Sequence, residues 1–445
     1  MRISMGDNDR QQNRREIRRK RRVRNQIIAY GVLTVLVLAA AFGVAIGIKY
    51  LLPDGEEKQQ EEQENKEKIS DILAEEESLA TPEPTPEVPV VTEPTPEEKL
   101  DELVNAKVEA MSLEEKVAGI FIVTPEAITG ASTVVQAGDG TRQALEQYPV
   151  GGLIYFKQNI QSEEQLKEML ENTASYAKYP LFLGVDEEGG SVARVASSGI
   201  GPETDSAADI GATGSTENAY QAGVSIGSTL AGLGFNLDFA PVADIANVEG
   251  SIMADRSYGA DAVSVSGFVT SMASGLEEQG VTACLKHFPG IGSTTGDTHD
   301  GMVSTDRSAE QFWGEELTVF QAGIDAGANM IMVSHMSAPS LTGDNEPGIF
   351  SKMLVTDILR DQMHYEGVVI TDALNMSAIS EYNTAEEAAV RAVLAGCDML
   401  LMPEDFEQAY EGVLKAVQNG NIAEERINDS LKRIYRIKYA DLVEE

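Results

Sequence analysis

Eight short apolar runs, at 119–123, 152–156, 181–185, 236–242, 281–286, 330–334, 368–371 and 398–402, recur along the chain. Helical patterns separate them, among them 162–177, 216–233, 261–279, 308–326 and 384–395. A run that is apolar throughout suits a strand buried on both faces, and strands alternating with helices are joined by crossovers that make neighbours parallel. Eight such units suit an α/β fold of the (β/α)8, TIM-like barrel type, with a doubly wound open sheet as the other arrangement. The polar residues separate the two, because a barrel gathers its functional side chains at the C-terminal ends of its strands. Asp186 and Glu187 end the third run, Asp244 follows the fourth, and Lys286 and His287 end the fifth. Ser334 and His335 end the sixth, and Asp372 the seventh. The barrel is therefore the expected fold of residues 100–445.

The first hundred residues have a different character. Residues 1–26 hold ten Lys/Arg against three Asp/Glu, and residues 27–48 then run without a charge. Twenty-two uncharged residues are enough for a helix to cross about 30 Å of hydrocarbon. A cleaved signal peptide is the alternative, but its apolar core is usually about 7–15 residues. We therefore expect a basic cytoplasmic tail (1–26), one transmembrane helix (27–52) and everything beyond it outside the cell, by the positive-inside rule. Secretion after cleavage is the other possible localisation. Residues 53–99 hold sixteen Asp/Glu against four Lys and end in the proline-punctuated TPEPTPEVPVVTEPTP at 81–96. Such a segment cannot bury a core, and is expected as a disordered, extended spacer that holds a domain off the bilayer.

Residues 100–445 carry 53 Asp/Glu against 19 Lys/Arg. That balance argues against nucleic acid as a partner and would repel anionic polymers. Cys284 and Cys397 each lie in an apolar run and read as buried free thiols, and neither has a second Cys at metal-ligand spacing.

Two segments carry chemistry. Residues 285–301 read LKHFPGIGSTTGDTHDG. Lys286 and His287 end a strand that should continue apolar, and burying them requires anionic or polar partners, which a hydroxyl-rich ligand would supply. The glycine-rich loop beyond them carries Asp297 and His299, at a spacing that lets a turn bring carboxylate and imidazole together. An imidazole is suited to exchange protons near neutral pH. A metal site of Asp297, His299 and Asp300 is the alternative, and a plain polar loop leaves the Lys-His pair unexplained. Residues 366–379 read EGVVITDALNMSAI. Asp372 there is either a helix cap or a carboxylate displayed into a barrel mouth.

Together, LKHFPG, GDTH and, some seventy residues later, GVVITDALNM resemble glycoside hydrolase family 3, in its β-N-acetylhexosaminidase (β-N-acetylglucosaminidase) branch. The resemblance covers about residues 103–440. It implies Asp372 as nucleophile and an Asp297–His299 dyad as acid/base. LGVDEEGGSVARV at 183–195, FNLDFAPVADI at 235–245, DRSYG at 255–259 and VSHMSAP at 333–339 match further motifs of the family. They imply Asp186, Arg194, Arg256, Lys286 and His287 as substrate-binding residues, with His335 as a substrate-site or supporting residue. Four positions depart from the pattern: Ser191 stands where Arg is common, Ile291 and Ser293 where His and Asp are, and Ala373 where a second Asp is. The implied reaction is retaining hydrolysis of terminal N-acetylglucosamine from cell-wall or related glycans, with a carbohydrate as the only small-molecule partner and neither metal nor organic cofactor required. A phosphorylase releasing the sugar phosphate, a β-glucosidase-type specificity and a non-catalytic wall-binding module are the alternatives.

Overall fold

The computed structural model describes residues 94–442. Eight strands form one parallel sheet: β1 (Phe121–Val123), β2 (Gly152–Ile154), β3 (Phe182–Val185), β4 (Leu237–Asp238), β5 (Thr282–Phe288), β6 (Met330–Val333), β7 (Val368–Thr371) and β8 (Leu400–Leu401). Each strand pairs with its successor, as in Ile122↔Gly152, Gly184↔Leu237 and Val333↔Thr371. β8 pairs with β1 through Phe121↔Leu400, and the bridge Ile370↔Met399 joins it to β7, closing the sheet into a barrel. Nearly all strand residues are buried. Closure removes the sheet edge, and the helices that cover the outside explain why the runs are apolar on both faces.

All eight expected strands are present. The helix expected at 308–326 is divided at Glu315 (φ −129°, ψ −84°) into Ala309–Gly314 and Glu316–Asp325. The break has a partner-based reason: the Glu315 carboxylate accepts from Asn247 Nδ2 at 2.9 Å and from Arg307 at 2.6 Å, and Glu316 pairs with the same arginine. Two helices approach unusually closely. A Cβ on Gly223 would lie 2.3 Å from the Met272 carbonyl, and one on Gly275 2.4 Å from that of Tyr220. No larger residue fits where helix Thr216–Leu233 crosses helix Ala262–Glu277.

The boundary expected at residue 99 needs correction. Helix Pro96–Glu109 begins inside the expected spacer. Thr95 caps it, accepting from Glu98 N–H at 3.2 Å while Glu98 Oε2 accepts from Thr95 N–H at 2.8 Å, and Pro96 occupies the first turn, where no N–H is needed. Val104 and Val108 on this helix are buried in the domain. The basic tail, the candidate span at 27–52 and the spacer up to residue 93 lie outside the described residues. Among the described residues, no helix is long and apolar enough to cross a membrane.

The end of the barrel opposite the strand C-termini is held by one buried carboxylate. Asp398, just before β8, accepts from Val369 N–H at 3.0 Å, Ser430 Oγ at 2.9 Å, Arg433 at 3.2 Å and Arg426 at 3.4 Å, and also from Arg360. Cys284 and Cys397 are buried and free.

Candidate active site

A cavity of about 340 Å³ opens at the C-terminal ends of the strands. Its floor includes inward-facing strand residues, Ile154 of β2, Met332 of β6 and Leu401 of β8. Its walls come from the strand ends and the loops after them.

β3 ends at Val185, so Asp186 is the first residue beyond it and faces the cavity. The chain then folds into a short hairpin (187–193). Glu187 is turned into that hairpin, where its carboxylate accepts from the N–H groups of Val195 (2.7 Å) and Ala196 (3.0 Å). Glu188, not Glu187, is the residue that joins Asp186 in the cavity. Arg194 also lines the cavity, with its guanidinium 4.0 Å from Asp186 Oδ2 and over the Phe156 ring at 5.9 Å.

Lys286 and His287 sit within β5. Neighbouring residues of a regular strand face opposite ways. Here the register against β6 shifts between Leu285 and Phe288, and both side chains line the cavity. Their partners are protein carboxylates, where a ligand was expected to supply them. Lys286 Nζ lies 2.8 Å from Asp186 Oδ1 and 2.7 Å from Glu188 Oε1. Glu188 also takes both Nε (2.8 Å) and a terminal nitrogen (2.7 Å) of Arg256. Asp186, Lys286, Glu188 and Arg256 thus form one alternating chain of charge. Burial would raise the Glu188 carboxyl, but Lys286 and Arg256 together hold it down to about 2. Burial would likewise lower the Lys286 ammonium, and Asp186 and Glu188 hold it above its ordinary value instead. The four side chains are preset for a polar ligand, because their ion pairs hold them in place before anything binds. His287 Nδ1 lies 2.7 Å from Asp244 Oδ2. With a carboxylate as partner, Nδ1 is the donor and Nε2 is left for the cavity.

The loop after β5 is pressed onto the end of β4. Asp244 Oδ1 accepts from Ile291 N–H at 2.6 Å, Ser251 Oγ donates to the Gly292 carbonyl at 2.6 Å, and a Cβ on Gly292 would lie 2.4 Å from the Ile245 carbonyl. From this root the loop carries Asp297, Thr298 and His299 to the mouth of the cavity. His299 Nδ1 is 2.8 Å from Asp297 Oδ1, and the same oxygen accepts the His299 backbone N–H at 2.9 Å. Burial would raise the Asp297 carboxyl, but the backbone and side chain of His299 bring it below its ordinary value. The dyad is therefore a carboxylate holding an imidazole by Nδ1, with Nε2 directed elsewhere. The His299 side chain is 69% exposed and so reaches solvent as well as the cavity. Asp300 stays outside the dyad, and its N–H closes a turn onto the Asp297 carbonyl at 3.1 Å.

Asp372 is the first residue beyond β7 and is half-buried at the cavity wall. Burial pushes its carboxyl up, but His335, His287, the Ala373 N–H and Lys286 outweigh that and leave it below the ordinary carboxylate value. It is an anion at neutral pH, with the Ala373 N–H and the Lys286 ammonium among the groups that favour its charge. His335 is 1% exposed and does not line the cavity. It is set behind Asp372, with Nε2 2.8 Å from the Ala373 carbonyl.

The structure thus gathers Asp186, Arg194, Arg256, Lys286, His287, Asp297, His299 and Asp372 around one cavity and leaves His335 behind it. Sequence reasoning missed the Glu188 bridge and the Asp244 clamp. Glu188 had a signal: it stands two residues after Asp186, on the same face of an extended chain. At the four departures, Ser191 Oγ lies 3.4 Å from Asp255, Ile291 lines the cavity, the Ser293 hydroxyl is buried without a partner among the described residues, and Ala373 lends its carbonyl to His335.

The sequence model of the glycosyl hydrolase family 3 N-terminal domain matches residues 96–437. The chain is 30% identical over 325 residues to β-hexosaminidase A of Pseudoalteromonas piscicida, covering 66% of this chain and 54% of that one. It is 30% identical over 343 residues to β-hexosaminidase LpqI of Mycobacterium tuberculosis, covering 74% and 83%. Its fold superposes on a glycoside hydrolase family 3 β-N-acetylglucosaminidase from a Paenibacillus strain with a TM-score of 0.69 and 32% identity, covering 76% of this chain and 64% of that one. The chain spans about half the length of the Pseudoalteromonas relative.

Proposed function

Because the chain belongs to glycosyl hydrolase family 3, we propose that it is a retaining exo-β-N-acetylglucosaminidase that removes terminal N-acetylglucosamine from cell-wall or related glycans. The observation that carries this reading is the 2.8 Å contact of Asp297 and His299 on a loop over the cavity that holds Asp372. One carboxylate stands as an anion at a strand end, and one imidazole, held by its own carboxylate, lines the same cavity.

In the proposed reaction, an Asp372 oxygen attacks the anomeric carbon as the bond to the leaving oxygen breaks. His299 Nε2 gives its proton to that oxygen, and Asp297 supports the imidazole through Nδ1. Neutral His299 then takes a proton from water, which attacks the anomeric carbon and frees Asp372, so that two inversions give net retention. Asp186, Arg194, Arg256, Lys286 and His287 hold the sugar hydroxyls, with Glu188 keeping Lys286 and Arg256 in place. Every step uses side chains of this chain.

An uncharged run at 27–48 behind a basic cluster supports a single-pass anchor with the barrel outside the membrane, which suits wall or environmental glycans. The test compares turnover of an aryl N-acetyl-β-glucosaminide and an aryl β-glucoside, with and without phosphate, by the wild type, Asp372→Ala and His299→Ala. The proposal expects phosphate-independent turnover of the N-acetylated substrate, lost in both variants. A phosphate requirement would make the protein a phosphorylase, preference for the glucoside would move it to β-glucosidase specificity, and unimpaired variants would refute the assigned residues.

A further inference from the structure

We infer that His335 is a positioning residue for Asp372: it fixes the backbone that follows the nucleophile, so that the carboxylate is presented in one orientation. This rests on the assignment of Asp372 as nucleophile made above.

β6 and β7 pair in parallel register as far as Val333↔Thr371, and the Asp372 N–H donates to the Val333 carbonyl at 2.9 Å. Beyond that point both chains leave the barrel and backbone pairing between them stops. The same register is carried two residues further by a side chain, since His335 follows Val333 by two and its Nε2 meets the carbonyl of Ala373, which follows Thr371 by two. A carbonyl only accepts, so Nε2 carries the hydrogen. The Ala373 N–H in turn donates to Asp372 Oδ1 at 2.8 Å. Residue 373 is thereby gripped at both ends, by the nucleophile it supports and by the imidazole behind it. On the far side, β8 and the residue after it hold the next residues through Leu374 N–H to Leu401 (2.9 Å) and Asn375 N–H to Met402 (3.0 Å). The Ala373 carbonyl also accepts the Met376 N–H at 3.1 Å, which closes the turn beyond Asp372, and on the β6 side the bond from His335 ties that turn to the barrel.

The choice of residue supports the inference. His335 is 1% exposed, and its Nδ1 has no partner among the described residues. A buried imidazole with one nitrogen unpaired is a poor space-filler, because an apolar ring would avoid the desolvation. The single bond to Ala373 is what accounts for a histidine there. The titratable groups that face it are Asp372 from the end of β7, His287 from β5 and His299 from the loop, and burial lowers its pKa, which favours the neutral, single-donor form.

The test uses a dinitrophenyl N-acetyl-β-glucosaminide, whose leaving group departs without a proton, so that formation of the glycosyl–enzyme reports on Asp372 and not on His299. His335→Phe keeps the ring and removes the donor, whereas His335→Gln can place an amide N–H near the position of Nε2. The expected result is a pre-steady-state rate of glycosyl–enzyme formation about 10–100-fold lower for the Phe variant, substrate Kd within about threefold of wild type, and recovery of most of the loss by Gln. The inference is overturned if the folded Phe variant keeps that rate within about twofold of wild type, if the loss lies in Kd, or if Gln is no better than Phe. Should the Phe variant fail to fold, His335→Asn replaces it, because its shorter amide stops short of Ala373: Gln active with Asn impaired supports the inference, and equal activity overturns it. Asp372→Ala is run beside them. If it stays active, the nucleophile assignment has failed; if it is inactive while the His335 variants are normal, only the positioning role has failed.

Discussion

Asp244 and His287 form a buried pair at 2.7 Å, and the second oxygen of Asp244 holds the root of the loop that carries Asp297 and His299 through the Ile291 N–H at 2.6 Å. One carboxylate therefore orients the His287 imidazole and holds the loop that carries Asp297 and His299. Asp244→Asn keeps the shape but offers only one accepting oxygen to two N–H donors. We expect kcat/KM for an aryl N-acetyl-β-glucosaminide to fall about 10–100-fold, since either the imidazole changes tautomer or the loop root is released. Steady-state kinetics decide it, and an unchanged kcat/KM would show that neither group needs the clamp.

The Glu188 bridge gives a stability dependence on pH. Its folded-state value of about 2 lies below the ordinary 4.5, so the charged form is favoured by folding. That stabilisation is complete above the ordinary value and is lost as pH falls through the folded one. Glu188→Gln should therefore lower the thermal midpoint by several degrees at pH 7, with the gap to wild type narrowing as pH drops from about 4.5 towards 2. Melting curves across that range check it. A gap independent of pH would mean that the variant is destabilised by lost packing, not by lost charge.

At the other end of the barrel, Asp398 is the common partner of Arg360, Arg426 and Arg433. Removing its charge leaves three guanidinium groups converging on a site without an anion. Asp398→Asn should cost about 3–5 kcal/mol by denaturant titration, because a broken buried pair strands its partners. The protein that remains folded should keep the wild-type KM, since the cavity lies at the opposite ends of the strands. A raised KM would reveal coupling between the two ends.

The barrel is legible in the sequence because burial on both faces leaves each strand as an uninterrupted apolar run, and Asp186, Lys286, His287 and Asp372 stand out because they end those runs at one end only, whereas the catalytic reading of Asp372, Asp297 and His299 comes from the resemblance of their motifs. Features that depend on pairing across the fold are not. Asp398 reads as the polar start of an apolar run, and its arginine partners lie 28 to 38 residues away along the chain. Glu187 and Glu188 are adjacent and identical in type, and only the hairpin decides that one holds backbone while the other enters the cavity. The capping box at Thr95 and Glu98 is written in the sequence but is disguised as one more repeat of the Thr-Pro spacer. The resemblance of VSHMSAP implies His335 as a substrate-site or supporting residue and does not choose between the two. The His335 ring lies behind the turn it supports.

In the proposed reaction the Asp297–His299 pair acts on the leaving group and Asp372 on the anomeric carbon, so the two roles can be tested apart. Asp297 is a carboxylate below its ordinary pKa, so it stays an anion throughout the neutral range and can support the imidazolium of the proposed reaction. Asp297→Asn preserves an accepting oxygen but removes that charge, and it lets the amide turn its NH2 towards Nδ1, which favours the wrong tautomer of His299. Where the leaving group needs a proton, as with a simple alkyl or sugar aglycone, kcat/KM should fall about 10²–10⁴-fold. Where it does not, as with dinitrophenolate, formation of the glycosyl–enzyme should change by less than about tenfold. Pre-steady-state measurement with both substrates reads the two values directly. Equal losses on both would mean that Asp297 acts on the sugar or on Asp372, and that the loop is not the source of the proton.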